Sequence, residues 1–245
     1  MPVKTPVVVC LLLLVGCAVH PRFPVFDAGT PEQALNELIS RSRMIDSYSA
    51  SAVFEISSPN GNIRFNGEVV FGDGCRWRVD LDGPLGVKLA VVETESDSFR
   101  VHLPQAGRTS EGRLCEGLEL PDLEISLPAV ASLSVLLLPT VDLTGQESWR
   151  IVSAGVGNPG LLTLVSESEA GIDSLVLSLD YSPVRILSEE HWREGRLLFT
   201  RNLSYKRNPG YLPDRITIKS SDLTLYIKLN YHRLVLITPL EVPES

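Results

Sequence analysis

Apolar and polar positions alternate most clearly where Cys75, Trp77, Val79 and Leu81 interleave with Arg76, Arg78, Asp80 and Asp82. After a turn, Val87, Leu89 and Val91 resume the alternation. A period of two puts successive side chains on opposite faces of a strand, so this stretch predicts a half-buried hairpin. Its turn is Gly83-Pro84-Leu85-Gly86. A polar residue ordinarily follows such a Gly-Pro turn, and here Leu85 does. That leucine either folds back onto the sheet or is built to touch something apolar.

The same period recurs along most of the chain. Ala50, Ala52, Phe54 and Ile56 form one run, Pro59-Asn60-Gly61 a hairpin turn, and Ile63, Phe65, Gly67, Val69 and Phe71 the next run. Phe99 to Leu103 adds another. Further runs are expected from Leu161 to Glu167, Leu175 to Tyr181, Val184 to Trp192, Leu197 to Tyr205, Arg215 to Lys219 and Leu223 to Tyr231, with Arg201 interrupting the apolar side of its run. Short strands linked by turns argue for antiparallel β structure.

Helical spacing appears twice. Thr30-Pro31-Glu32-Gln33 reads as an N-cap, a first-turn proline and a capping box, followed by one apolar stripe of Leu35, Leu38, Ile39, Ser42 and Ile45. This predicts a helix to about Asp46 that lies on a sheet. Between Ser126 and Leu138 the residues are apolar nearly all round, bracketed by Pro128 and Pro139, which predicts a short helix covered on several sides. It either plugs an open sheet or sits in an ordinary core.

The first residues change the picture. Lys4 precedes an apolar run, Val7 to Leu14, too short to span a bilayer, and the run ends in Leu14-Val15-Gly16-Cys17. That ending resembles the bacterial lipobox, which implies cleavage after Gly16 and lipidation (palmitate-type acylation) of Cys17; the other reading is an ordinary secretory signal with a chance cysteine. Three acyl chains exceed the two signals that stable anchoring needs. Ala18, where an aspartate would by the sorting rule retain a lipoprotein in the inner membrane, implies the outer membrane. The expected organisation is a signal peptide over 1–16, lipidated cysteine and tether over 17–29, one domain over 30–236 and a loose tail over 237–245.

A chain of 245 residues, 44% hydrophobic, can bury a core, and its net charge of −8 argues against nucleic acid, which needs clustered Lys and Arg. Of four cysteines, Cys75 and Cys115 remain in the domain; they either form a disulfide or stay free, Cys75 as a small hydrophobe. Neither they nor the scattered His20, His102, His191 and His232 have metal-site spacing, so no metal and no cofactor is expected. Gly155 to Gly160 matches GxGxxG, but Pro159 and a strand-like run follow where a helix would be needed, so it reads as a turn. Glu189 and Glu190 point to opposite faces of a strand and cannot act on one bond. No catalytic constellation is present in the sequence.

Lipobox, amphipathic helix, antiparallel strands and apolar insert together resemble the lipoprotein-localisation superfamily (LolA/LolB-like), and within it the outer-membrane lipoprotein receptors. Arg78 to Leu89 is similar to that family's strand, protruding Pro-Leu-Gly loop and strand, and Tyr211 to Ile218 to its closing Leu-Pro hairpin. The middle of the chain is poor in the tryptophans found there in the receptors. The resemblance implies one unclosed, curved antiparallel β-barrel of ten or more strands, with the N-terminal helix and a short apolar helix in its concave side. It implies no enzyme but a monomeric, outer-membrane-anchored, periplasm-facing protein that takes acylated lipoproteins or lipids from a periplasmic carrier. Leu85, with Gly83, Pro84 and Gly86, would be the membrane-transfer loop. Phe54, Phe65, Trp77, Leu177 and Phe199 are the expected cavity lining. The alternative is an envelope interaction or sensing lipoprotein on the same fold with no cargo and a packed interior.

Overall fold

The computed structural model describes residues 26–43, 45, 47–58, 61–72, 76–120, 125–127, 133–143, 149–155, 160–168, 171–205, 212–221 and 226–237. Helix α1 (Pro31–Arg43) starts as its residues dictate: the Gln33 N–H donates to Thr30 Oγ1 at 3.3 Å, and Gln33 Oε1 accepts from the Gly29 N–H at 2.8 Å. It ends short of Asp46. Ala34, Leu35 and Leu38 are buried on one stripe, and Arg41 is buried with them because its guanidinium reaches the Val184 carbonyl at 2.8 Å and Glu37 at 2.6 Å.

The strands follow in order: β1 (Ser47–Ser58), β2 (Gly61–Gly72), β3 (Arg76–Asp82), β4 (Lys88–Glu95), β5 (Ser98–Leu103), β6 (Arg108–Arg113), β7 (Leu118–Leu120) and β8 (Ile125–Leu127). After a one-turn helix α2 (Ser134–Leu137) come β9 (Arg150–Gly155), β10 (Gly160–Ser168), β11 (Gly171–Tyr181), β12 (Val184–Arg193), β13 (Arg196–Ser204), β14 (Arg215–Ser220) and β15 (Tyr226–Ile237). Thirteen of them form one antiparallel sheet in the order β6-β5-β4-β3-β2-β1-β15-β14-β13-β12-β11-β10-β9, while β7 and β8 pair apart. The first and last strands of the chain, β1 and β15, pair at the middle of the sheet. The two ends, β6 and β9, do not pair with each other, so the sheet is unclosed as well as curved.

Several expectations need correction. In β4 the expected alternation of Leu89 and Val91 is incomplete: Ala90 and Val92 also enter the core, Leu89 packs against it and Val91 is buried as well, beside a bulge between Leu81 and Asp82 that shifts the register. Of the helix expected over 126–138, Ser134–Leu137 form α2 and Ser126 and Leu127 belong instead to β8, while 128–132 lie outside the described residues. Strands β6 and β9 were not expected: β6, Arg-Thr-Ser-Glu-Gly-Arg, is polar on both faces, and neither strand needs a buried face at the sheet's ends. Gly160 opens β10, so a strand follows the GxGxxG match where a helix would be needed, and Gly155 ends β9 before it; 156–159 lie outside the described residues. Part of the expected tether is docked, since the Phe26 carbonyl accepts from the Val184 N–H and the Ala28 N–H donates to the Tyr181 carbonyl. Gly16, Cys17 and Ala18 lie outside the described residues, as does the tail from 238. Among the described residues no helix is long and apolar enough to cross a membrane.

The inward side chains fall into two clusters. One joins β1–β5 to β13–β15 and includes Phe54, Phe65, Trp77 and Phe199; the other joins α1 to β10–β12 and includes Leu162, Leu164, Leu175 and Leu177.

Candidate functional site

Two features stand out from the packed sheet: the tip between β3 and β4, and the segment 133–143 lying against the inward face.

At the tip, the Gly83 N–H donates to the Val87 carbonyl at 2.8 Å and the Gly86 N–H to the Gly83 carbonyl at 3.3 Å, closing a tight turn. Gly83 must be small, because a Cβ there would meet the Leu89 side chain at 2.9 Å. The turn forces Leu85 to φ 64° and ψ 19°, a left-handed conformation that L-residues other than Gly, Asn and Asp rarely adopt. Leu85 is also fully exposed, at 102% of its reference area, and Val87 beside it is 47% exposed. The reading in which Leu85 folds back onto the sheet is therefore wrong: the turn aims it away from the protein.

The base of this hairpin is held by charge. Asp80 Oδ2 accepts from Arg78 Nε at 2.9 Å, Asp80 Oδ1 from Lys88 Nζ at 3.1 Å, and Arg78 Nη1 donates to Glu93 at 2.6 Å. Burial pushes the Asp80 carboxyl upward, but the hydrogen bonds from Arg78 and Lys88 outweigh it and hold the group below the usual aspartate value. A strained apolar tip thus stands on a stiff, ion-paired stem.

Segment 133–143 bridges the two clusters. Leu133, Leu136, Leu137 and Leu138 enter the first cluster, and Val141 and Leu143 enter the second beside α1. Its backbone is gripped by polar groups from the sheet. The Tyr48 hydroxyl donates to the Leu137 carbonyl at 3.1 Å and the Tyr231 hydroxyl to the same carbonyl at 3.2 Å. Arg201 Nη2 donates to the Thr140 carbonyl at 3.1 Å and also to the Leu138 carbonyl. Arg201 and Glu189 are both 0% exposed and pair at 3.1 Å, while His191 Nε2 lies 3.1 Å from the same Glu189 oxygen and stacks on Phe199 with ring centres 4.3 Å apart. Burial raises the Tyr48 hydroxyl well above its usual value and pushes Tyr231 up to about 12, so both stay neutral donors.

The five expected lining residues are all buried, but they do not line one space. Phe54, Phe65, Trp77 and Phe199 share the first cluster, whereas Leu177 packs in the second under α1. A cavity of about 660 Å³ opens instead on the opposite face of β2–β6, framed by Arg76, Arg78, Glu93, Glu95, Arg100 and Glu111, and of the five it touches only Trp77. It is a charged surface groove, crossed by the Arg78–Glu93 and Arg100–Glu111 pairs. Cys115 has a free, exposed thiol just past β6; Cys75 lies outside the described residues next to β3. Among the described residues no group of three His, Cys, Asp or Glu could hold a metal ion.

Sequence reading missed the Glu189–Arg201 pair. Its signal was there: Arg201 interrupts an apolar alternation, and one of Glu189 and Glu190 had to face inward.

No protein-family model and no curated protein matches the chain. Solved structures do. A domain named for outer membrane lipoprotein sorting, from Vibrio parahaemolyticus, superposes with TM-score 0.58 at 16% identity, over 86% of this chain and 93% of the other. A LolA superfamily protein from Nitrosomonas europaea gives TM-score 0.58 at 16% identity, over 86% and 94%. The chain has the LolA-superfamily fold. A DUF1329 family protein from Desulfovibrio piger shares the architecture at TM-score 0.55 and 12% identity, over 87% and 94%. In this fold the open sheet supplies the apolar inward face, and segment 133–143 lies against it.

Proposed function

We propose that this protein is a lipid-anchored envelope protein, tethered to the outer membrane through acylated Cys17, that accepts the acyl chains of lipoproteins or lipids and helps insert them in that membrane. The observation that carries the reading is Leu85, a fully exposed leucine held in a left-handed backbone conformation. Strained residues persist where surrounding structure imposes them, and they concentrate at functional sites. An apolar side chain displayed at such cost on a rigid hairpin suits a wedge that enters a bilayer.

The cargo side rests on segment 133–143. Its six buried leucine and valine side chains fill the inward face with about two dozen carbons, the apolar equivalent of roughly one and a half palmitoyl chains, and each buried CH₂ of an incoming chain contributes about 0.8 kcal/mol. Displacement of the segment would therefore exchange like for like. A neighbour in fold bears a name for lipoprotein sorting, which supports the reading without deciding it. In this reading the chain is no enzyme, works as a monomer, and receives cargo from a periplasmic carrier.

The second reading, an envelope interaction module without cargo, is favoured by the burial of all five expected lining residues with segment 133–143 in place. The two separate in a transfer assay with a triacylated peptide and outer-membrane-like vesicles. Leu85→Glu should abolish delivery while leaving the unfolding midpoint unchanged. Unaltered delivery by that variant, with the fold intact, would remove the wedge.

A further inference from the structure

The grip on segment 133–143 is more polar than filling space requires. Leucine side chains alone would plug an apolar wall, and a buried ion pair is often no better for stability than well-packed hydrophobes. Yet Tyr48 from β1, Tyr231 from β15 and Arg201 from β13 converge on carbonyl oxygens of Leu137, Leu138 and Thr140. Arg201 is oriented by Glu189, whose Oε2 accepts from Arg201 Nη1 at 3.1 Å. What the wall recognises here is a cluster of carbonyl oxygens flanked by aliphatic carbon.

That chemistry is also the chemistry of an acyl ester. A diacylglyceryl group carries two ester carbonyls close together, each at the head of a long alkyl chain, and an N-acyl amide adds a third. We propose that Tyr48, Tyr231 and Arg201 form a carbonyl-recognition site for the ester and amide groups of a diacylated ligand, and that the backbone carbonyls of Leu137, Leu138 and Thr140 hold this site until the ligand replaces them. This rests on the carrier reading of the inward face and adds the subsite that fixes the head of the acyl chains. The donors are neutral hydroxyls and a permanently charged guanidinium, so the site selects for acceptors and gives no advantage to plain hydrocarbon. A buried donor left without an acceptor is penalised, which makes a ligand that lacks carbonyls a poor exchange for the segment.

The test compares ligands that differ only in those oxygens. Binding of a dipalmitoylglyceryl-cysteine peptide to the purified protein is measured beside its dihexadecyl ether counterpart, with the same headgroup and chain length. The ester should bind about tenfold more tightly or better, and Tyr48→Phe combined with Tyr231→Phe should shrink that preference. Because each variant serves as its own control across two ligands, a folding defect would weaken both and cannot imitate a loss of preference. Competition with dipalmitoyl phosphatidylethanolamine names the source: displacement at similar concentration points to membrane phospholipid, its failure to the acylated cysteine, and either supports the site. Equal affinity for ester and ether, or a full preference retained by the double variant, would overturn the site while leaving the carrier reading standing. Binding of neither ligand would bring down both.

Discussion

Leu85→Gly should make this protein more stable and less competent. In the folded state Leu85 touches nothing that burial could reward, since it is fully exposed, while its φ of 64° costs an L-residue about 1–2 kcal/mol relative to glycine. Glycine in the unfolded chain has more freedom to lose, which offsets about 0.5–1 kcal/mol. The net gain is roughly 0.5–1 kcal/mol, or a rise of a few degrees at most in Tm for a domain of this size, where about 1 kcal/mol moves Tm by 2–4 °C. The same change removes a side chain worth about 1.5–3 kcal/mol on transfer from water to an apolar phase, some 10- to 100-fold in vesicle affinity. Urea unfolding and vesicle co-sedimentation on the same samples read the two effects. A lower unfolding midpoint for Leu85→Gly would show that the leucine has an intramolecular partner. An unchanged vesicle affinity would refute the wedge.

Other perturbations address the interior. Arg201→Met should destabilise the fold by about 3–5 kcal/mol, because Glu189 is left as an uncompensated buried charge, and adding Glu189→Gln should restore part of the loss in a denaturant titration. Stability should fall on the alkaline side: Tyr48 and Tyr231 have raised values in the folded state, so their contribution is complete below the ordinary tyrosine value near 10 and is lost as pH rises through the folded values, about 12 for Tyr231. Thermal unfolding from pH 9 to 12 should show a steep decline in the parent and a shallower one in Tyr48→Phe/Tyr231→Phe. Gly67→Ala should cost about 1–3 kcal/mol by calorimetry, since its Cβ would lie 2.7 Å from the Phe54 ring and 2.8 Å from the Asp80 carbonyl oxygen.

Much of the fold was legible because a half-buried strand writes its faces into the chain. Phe54, Phe65, Trp77, Leu177 and Phe199 all stand on inward faces, as their parity requires. Parity blurs where a bulge intervenes: at the start of β4, Ala90, Val91 and Val92 are all buried and Leu89 packs on the core beside them. It is also silent on strands with no buried face, which hid β6 and β9. The apolar run ending at Leu138 revealed burial but not conformation: the same leucines serve a helix, an extended segment or a plug, and the choice was made by carbonyl-seeking groups 61 to 94 residues away in sequence. The place of Leu85 after Gly-Pro left open whether it folds back onto the sheet or faces outward, and the backbone geometry and full exposure decide for outward.

The central claim is that the inward face of this open sheet accepts acyl chains when segment 133–143 gives way. Native mass spectrometry of the purified protein, before and after incubation with a triacylated peptide, tests it most directly. The account predicts a one-to-one complex that survives transfer to the gas phase, or an acylated molecule already carried from the cell. A mass corresponding to the protein alone under both conditions would contradict it and leave a tethered interaction module with a permanently filled interior.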